Sequence, residues 1–379
     1  MPNRILFLLL FFGLYHQVQG DDKIPVVVIS DLYFPGQDVG DNFDILTPYA
    51  LPEIDLKGVI FDVSEQYRKD SNAHAAAREP GYISMIQLNY IFNRNVPCAC
   101  SPFVKMRNIN DKMNDLSPFQ QQGLDLFFKI LKDSKQKVQV VSTGSCRLLA
   151  VAYNRNPKLM KRKIEAIHIS AGASSDVFRE WNIELDTLAA YRLLSSNLPI
   201  NIYPCATKDG PFDKGINNTF WSMDDLSFVL DMEPMLRNYL VFAFLHKNRT
   251  DYLNYLESPL SESDRQQFLQ YQIDLWYGSG GKHYVWETAL WQQVAHRKLV
   301  KRVSGENFLL PEKEMVEGDE SFDEGLYPVT IHVEPSGLFS FKRTWKRSNF
   351  AIYHRNNPEI NQQWLRKALP VLYKSFKNK

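Results

Sequence analysis

The sequence IPVVVISDLYFPGQDVGDNFD, residues 24–44, joins an almost wholly apolar run to an acidic loop. An unbroken apolar run such as Ile24 to Ile29, bounded by polar turn residues, predicts a strand buried on both faces, as in the middle of a parallel sheet. The loop Asp31 to Asp44 then leaves the carboxyl end of that strand, where open α/β sheets collect their ligands. Asp31, Asp38, Asp41 and Asp44 repel one another unless a cation or protons compensate them. Calcium suits such a set, because it takes about six to eight hard oxygen ligands from carboxylates, carbonyls and water. The plainer reading is that Asp serves turns and caps, with Asp41 capping a helix that begins at Asn42.

Working outward, Asp55 to Val63 (DLKGVIFDV) reads as a second strand and Tyr82 to Phe92 (YISMIQLNYIF) as a helix. Ser117 and Pro118 occupy the cap and first position of another helix. Strands at Val138 to Val141, Ile164 to Ile169 and Ile200 to Tyr203 alternate with helices at Ser145 to Tyr153 and Leu188 to Leu194. Such alternation predicts an α/β fold, an open and mostly parallel sheet flanked by helices. Residues 220 to 300 read as helical and rich in Trp, and Glu312 to Glu324 as an exposed acidic loop. Val329 to Val333, Leu338 to Phe341 and Phe350 to Tyr353 suggest antiparallel strands ahead of a last helix at Trp364 to Phe376. No linker of Pro, Gly or Ser isolates this tail, so residues 21–379 are expected to form one domain.

Of the 379 residues, 44% are hydrophobic, enough for a sizeable core, and the net charge of +1 makes no electrostatic case for nucleic acid or an acidic membrane as partner. Residues 1–20 have a basic start at Arg4, an apolar stretch too short to span a bilayer, and small residues before Asp21. This describes a secretory signal peptide, and predicts export, to the periplasm in a Gram-negative bacterium. In an oxidising compartment Cys98, Cys100, Cys146 and Cys205 are expected to be buried or disulfide-bonded, with three pairings open. Asn217 and Asn248 stand in glycosylation sequons that matter only in a eukaryote.

Three stretches together resemble the inosine-uridine-preferring nucleoside hydrolase family. The opening strand, its acidic loop and YALPEIDLKGVIFDV resemble that family's strand, DxDPGxDD loop and ASPEVELVGITTV phrase. STGSCRLLA (Ser142 to Ala150) is similar to ATGPLTNLA. ISAGA (Ile169 to Ala173) with EWNIELD (Glu180 to Asp186) is similar to MGGA followed by EFNIYADP. The resemblance implies a nucleoside hydrolase-like sheet closed by a C-terminal β-hairpin and helix, and calcium-dependent hydrolysis of a nucleoside or related riboside. It places Asp38, Asp41 and the Arg147 carbonyl on calcium, and Glu180, Asn182 and Asn42 on the ribose. Asp38 or Asp31 would be the general base, and His283 the proton donor to the leaving base.

The sequence also departs from the family. The acidic loop is rewritten, so the choice between Asp31 and Asp38 stays open. His283-Tyr284 stands where the family has His-Asp, which would remove a carboxylate, and Leu148 replaces an Asn. Tyr284 and Gly40, each standing where the family has a carboxylate, motivate an alternative, a catalytically inactive nucleoside hydrolase-like binding protein. Trp181 is expected in the core. Trp276, Tyr277, Tyr284 and Trp286 either stack on a base or fill a helical core. The partner is expected to be a small nucleoside or riboside, with no membrane after signal cleavage and a homo-oligomer left open.

Overall fold

The computed structural model describes residues 23–34, 39–65, 79–245, 247–270 and 283–378. The acidic-loop residue Asp38 and the signal-like leader therefore lie outside the described residues, as do Trp276 and Tyr277. For His283 only the backbone is described.

Nine strands make one central sheet: β1 (Ile24–Ser30), β2 (Ile54–Phe61), β3 (Cys98–Cys100), β4 (Val138–Ser142), β5 (Ile164–Ser170), β6 (Ile200–Tyr203), β7 (Glu324–Val333), β8 (Phe339–Arg343) and β9 (Phe350–Arg355). Their order is β8-β7-β9-β6-β5-β4-β1-β2-β3. From β9 to β3 every neighbouring pair is parallel. The expected α/β architecture is present, with the expected antiparallel strands in the tail. β7 runs antiparallel to both β8 and β9, and β9 runs parallel to β6, so the tail extends the main sheet. Val329 of β7 pairs with both Arg343 and Phe350.

β1 shows why an unbroken apolar run marks the centre of such a sheet. Successive side chains point to opposite faces. Val26 and Val28 join one buried core while Val27 and Ile29 join the other, and all four have no exposed surface. Helices cover both faces. Those that position the site are α1 (Val39–Ala50), α2 (Arg147–Arg155), α3 (Pro157–Lys163), α4 (Trp181–Glu184), α5 (Thr187–Leu194), α6 (Pro234–Phe244) and α7 (Thr288–Val294). α1 begins at Val39, so Asp41 lies within its first turn and is not the cap of a helix starting at Asn42. An acid there is favoured by the exposed N–H groups and the helix dipole.

The region after residue 220 is less helical than its apolar content suggests. Trp221–Met223 pairs with His283–Val285 as a small antiparallel ladder, and Arg297–Lys301 pairs with Asn307–Pro311. Trp221 and Trp291 are buried, as core residues. Trp181 overturns its expectation, for it is 52% exposed. The acidic stretch 312–324 contains a short turn of helix and a two-residue strand, with Glu312 and Glu320 exposed. The four cysteines are free thiols, three of them buried, so burial accounts for them without a disulfide.

Candidate functional site

The parallel strands deliver five chain segments to one end of the sheet. Asp31 follows β1, Asp62 follows β2, Thr143 to Ser145 follow β4, Ala171 and Gly172 follow β5, and Cys205 follows β6 by two residues. Asp62 was not singled out by sequence, yet it is the hub on the β1–β2 side. Its Oδ1 accepts from Ser101 Oγ at 2.8 Å and its Oδ2 from the Ser145 N–H at 2.6 Å. Gly144 sits so close that an added Cβ would stand 3.0 Å from Asp62 Oδ2 and 3.4 Å from Asp31 Cβ. Asp31, Asp62 and Gly144 therefore share one small space, and glycine keeps it open.

Arg147 begins α2 and its side chain is fully buried. Nε donates to Asp186 Oδ2 at 3.1 Å and Nη1 to the Pro102 carbonyl at 2.7 Å, while Nη1 stands 3.7 Å from Asp62 Oδ1. The guanidinium thus neutralises a carboxylate on each side. Asp186 in turn caps α5 through the Ala189 N–H. As the first residue of a helix Arg147 has a carbonyl with an intrahelical partner, but a carbonyl carries two lone pairs, and one remains for another ligand.

Glu180 and Asn182 are brought to the same end. Glu180 is the N-cap of α4, and its two carboxylate oxygens accept from the Gly172 and Asn182 N–H groups at 2.7 and 3.0 Å. Gly172 has φ of +83°, a left-handed conformation natural to glycine, and this aims its N–H at Glu180. Burial raises the Glu180 carboxyl from 4.5 to about 7 against those backbone donors. Asn182 Nδ2 donates to the Ser170 and Thr143 carbonyls at 2.8 and 3.2 Å. Two acceptors fix which end of the amide is nitrogen. Its Oδ1 is then a buried acceptor with no hydrogen-bond partner among the described residues.

On the far side of Ser170 stands a carboxylate that sequence reading missed. Ser170 Oγ donates to Glu287 Oε1 at 3.4 Å and lies 3.2 Å from Cys205 Sγ. Glu287 is buried at the N-cap of α7, three residues beyond Tyr284. WETALW signals this acid only as a lone Glu ahead of an apolar helix. The Cys205 thiol records how these groups converge. Burial first, then the charges of Glu180, Glu287 and Asp31, push its pKa well up and keep it a thiol. Beside it, Phe220, Trp286 and Tyr284 pack together, with Trp286 and Phe220 centroids 5.5 Å apart.

The other expected site residues are placed less simply. Asn42 is buried and accepts from the Tyr239 hydroxyl at 3.1 Å. Asp41 is also buried, and its charge reaches the same Tyr239. Among the described residues no three His, Cys, Asp or Glu side chains gather to hold a metal ion. A cleft of about 210 Å³ opens beside the end of β1, walled by Phe34, Tyr82, Phe103 and Phe119 with Arg249 at its rim. Its lining includes none of the clustered carboxyls named above.

No protein-family model matches the sequence, and no curated protein matches it. Solved structures do resemble it. The inosine-uridine preferring nucleoside hydrolase of Bacillus anthracis is 12% identical over 90% of this chain and 97% of that chain, with a TM-score of 0.45. A plant nucleoside hydrolase is 12% identical over 90% of this chain and 98% of its own, with a TM-score of 0.49. A purine-preferring ribonucleoside hydrolase from Gardnerella vaginalis is 12% identical over 92% and 99%, with a TM-score of 0.47. Likeness at that identity and score assigns no activity.

Proposed function

We propose that this protein is an exported N-ribohydrolase-like glycosidase that cleaves the N-glycosidic bond of a ribonucleoside or related ribosyl compound, releasing base and ribose. The observation that carries the reading is Asn182 Oδ1, a buried acceptor without a hydrogen-bond partner among the described residues, held beside the Glu180 carboxyl at the carboxyl ends of the strands. An orphaned buried acceptor costs about 1–3 kcal/mol unless a ligand hydroxyl or water completes it. Glu180 and Asn182 would hold the ribose hydroxyls. Asp31 or Asp38 would take a proton from the attacking water, and His283 would give one to the departing base. The aromatic surface of Trp286 and Tyr284 would face that base.

Calcium is part of the proposal, held by Asp38, Asp41 and the Arg147 carbonyl, all hard oxygen donors. When bound it would polarise the water that attacks the sugar. Purified protein is expected to release free base from at least one nucleoside in a panel of purine, pyrimidine and nicotinamide ribosides with calcium present. No release from any of them overturns the enzymatic reading. The alternative, a nucleoside hydrolase-like binding protein without activity, is favoured by the commitment of Asn42 to Tyr239. It predicts nucleoside binding by calorimetry with no turnover and no rise in melting temperature on adding calcium.

A further inference from the structure

The net charge of +1 hides a local concentration. The loop Thr344 to Asn349, between β8 and β9, reads TWKRSN, and at its centre Trp345 is 90% exposed. Lys346 and Arg347 follow it, both exposed. The loop is anchored at the amino-terminal end of β6, where the Ile200 N–H donates to the Asn349 carbonyl at 2.7 Å. The two strands beyond β6 begin at the same end. Lys135 stands just before β4, and Lys161 and Arg162 close α3 just before β5, all exposed. Lys163 Nζ ties these two approaches together through the Ser134 carbonyl at 2.6 Å.

None of Lys135, Lys161, Arg162, Lys346 and Arg347 forms an ion pair with a described residue; on this rim Lys137 does, with Glu165 at 3.3 Å. β9, β6, β5 and β4 are consecutive strands, so the unpaired cations span three strand spacings, about 14 Å. The carboxyl cluster lies at the opposite ends of these strands, on the order of 20 Å away along a seven-residue strand such as β5.

We propose that this rim is a peripheral docking surface for an anionic phospholipid membrane, with Trp345 seated among the headgroups and the surrounding cations on lipid phosphates. Tryptophan favours the boundary between water and acyl chains, and each nearby Lys or Arg adds attraction to an anionic leaflet. The simpler reading of charge here is that it stops the edge strand β8 from pairing with a second copy. That accounts for Lys342 and for Arg343, which stacks over the Trp345 ring at 5.0 Å, but not for a Trp that stays 90% exposed nor for cations two to five strands inward. A nucleic acid partner would need a continuous tract for successive bases, and one ring supplies one stack. No helix among the described residues is long and apolar enough to cross a membrane, so the contact is superficial. Docked this way, the protein would turn its carboxyl cluster toward the solution.

Sedimentation of the purified chain with lipid vesicles tests this. It should pellet with vesicles holding about one third phosphatidylglycerol, stay in solution with pure phosphatidylcholine, and be released by about 0.5 M salt. K346E/R347E should lower the partition coefficient by at least about thirtyfold. W345F should leave the melting temperature unchanged and abolish a blue shift of tryptophan emission on binding. On the other side of the rim, K135E/K161E should weaken binding without touching the loop, a second variant should the first fail to fold. Failure to bind anionic vesicles, equal binding to neutral ones, or binding unchanged in properly folded variants overturns the proposal. So does retention on a single-stranded oligonucleotide with vesicles left unbound.

Discussion

Arg147 Nε and Asp186 Oδ2 stand 3.1 Å apart with both side chains sealed from water, one at the start of a helix after β4 and the other at the cap of a helix after β5. The pair joins two of the segments that build the carboxyl cluster. Removing one partner leaves the other charge buried without compensation, which costs about 3–5 kcal/mol. R147M should therefore unfold at markedly lower denaturant, and R147M/D186L should cost less than the two single changes summed. Denaturant titration of the four proteins checks it, and an additive double mutant would show that the pair is not coupled.

Gly144 allows a second prediction. G144A places a methyl 3.0 Å from Asp62 Oδ2, tighter than ordinary contact. The Asp62 carboxyl or the loop must give by a few tenths of an ångström, at about 1–3 kcal/mol, beside Asp31, whose Cβ the new methyl would touch at 3.4 Å. Base release should fall more than tenfold while the melting temperature drops by only a few degrees. Equal activity in wild type and G144A would separate Asp31 from the chemistry.

The Glu180 carboxyl titrates at about 7 when folded, against 4.5 in the ordinary state, because burial penalises its charge. Below 7 it is mostly protonated; above 7 it becomes a stronger acceptor for a ribose hydroxyl. KM for a riboside should fall as pH rises through 7, and E180Q should raise KM and remove that pH dependence. For stability the sign is opposite. The folded chain holds a proton between pH 4.5 and 7 that the unfolded chain gives up, so this group's contribution is present below 4.5 and lost as pH rises through 7.

His168 supplies the acid limb. Its ring nitrogens lie 3.0 Å from the Tyr203 hydroxyl and 3.0 Å from Gln139 Oε1, and burial lowers its pKa from 6.5 to about 3. The unfolded chain therefore takes up a proton between pH 6.5 and 3 that the folded chain refuses, and stability falls as pH drops through this window. Melting curves at stepped pH should show H168Q less sensitive to acid than wild type. A parallel pair of curves would remove His168 from the account.

Apolar runs, helical spacings and Pro or Gly punctuation fix which stretches become strands and helices, because these depend on neighbours a few residues away. From IPVVVI alone follows a buried central strand with a loop at its carboxyl end, where Glu180 and Asn182 of EWNIELD are also brought. Trp181, Glu287 and Asp62 show the limit. Trp181 carries the pattern of a core residue and is exposed, because only the path of the neighbouring chain determines whether anything covers it. Glu287 and Asp62 look like solitary acids until β2, β4 and β5 are laid side by side and α7 is set against them. The basic rim around Trp345 was invisible for the same reason. Charges far apart along the chain cancel in the sum, and parallel strands carry those of one sign to one end.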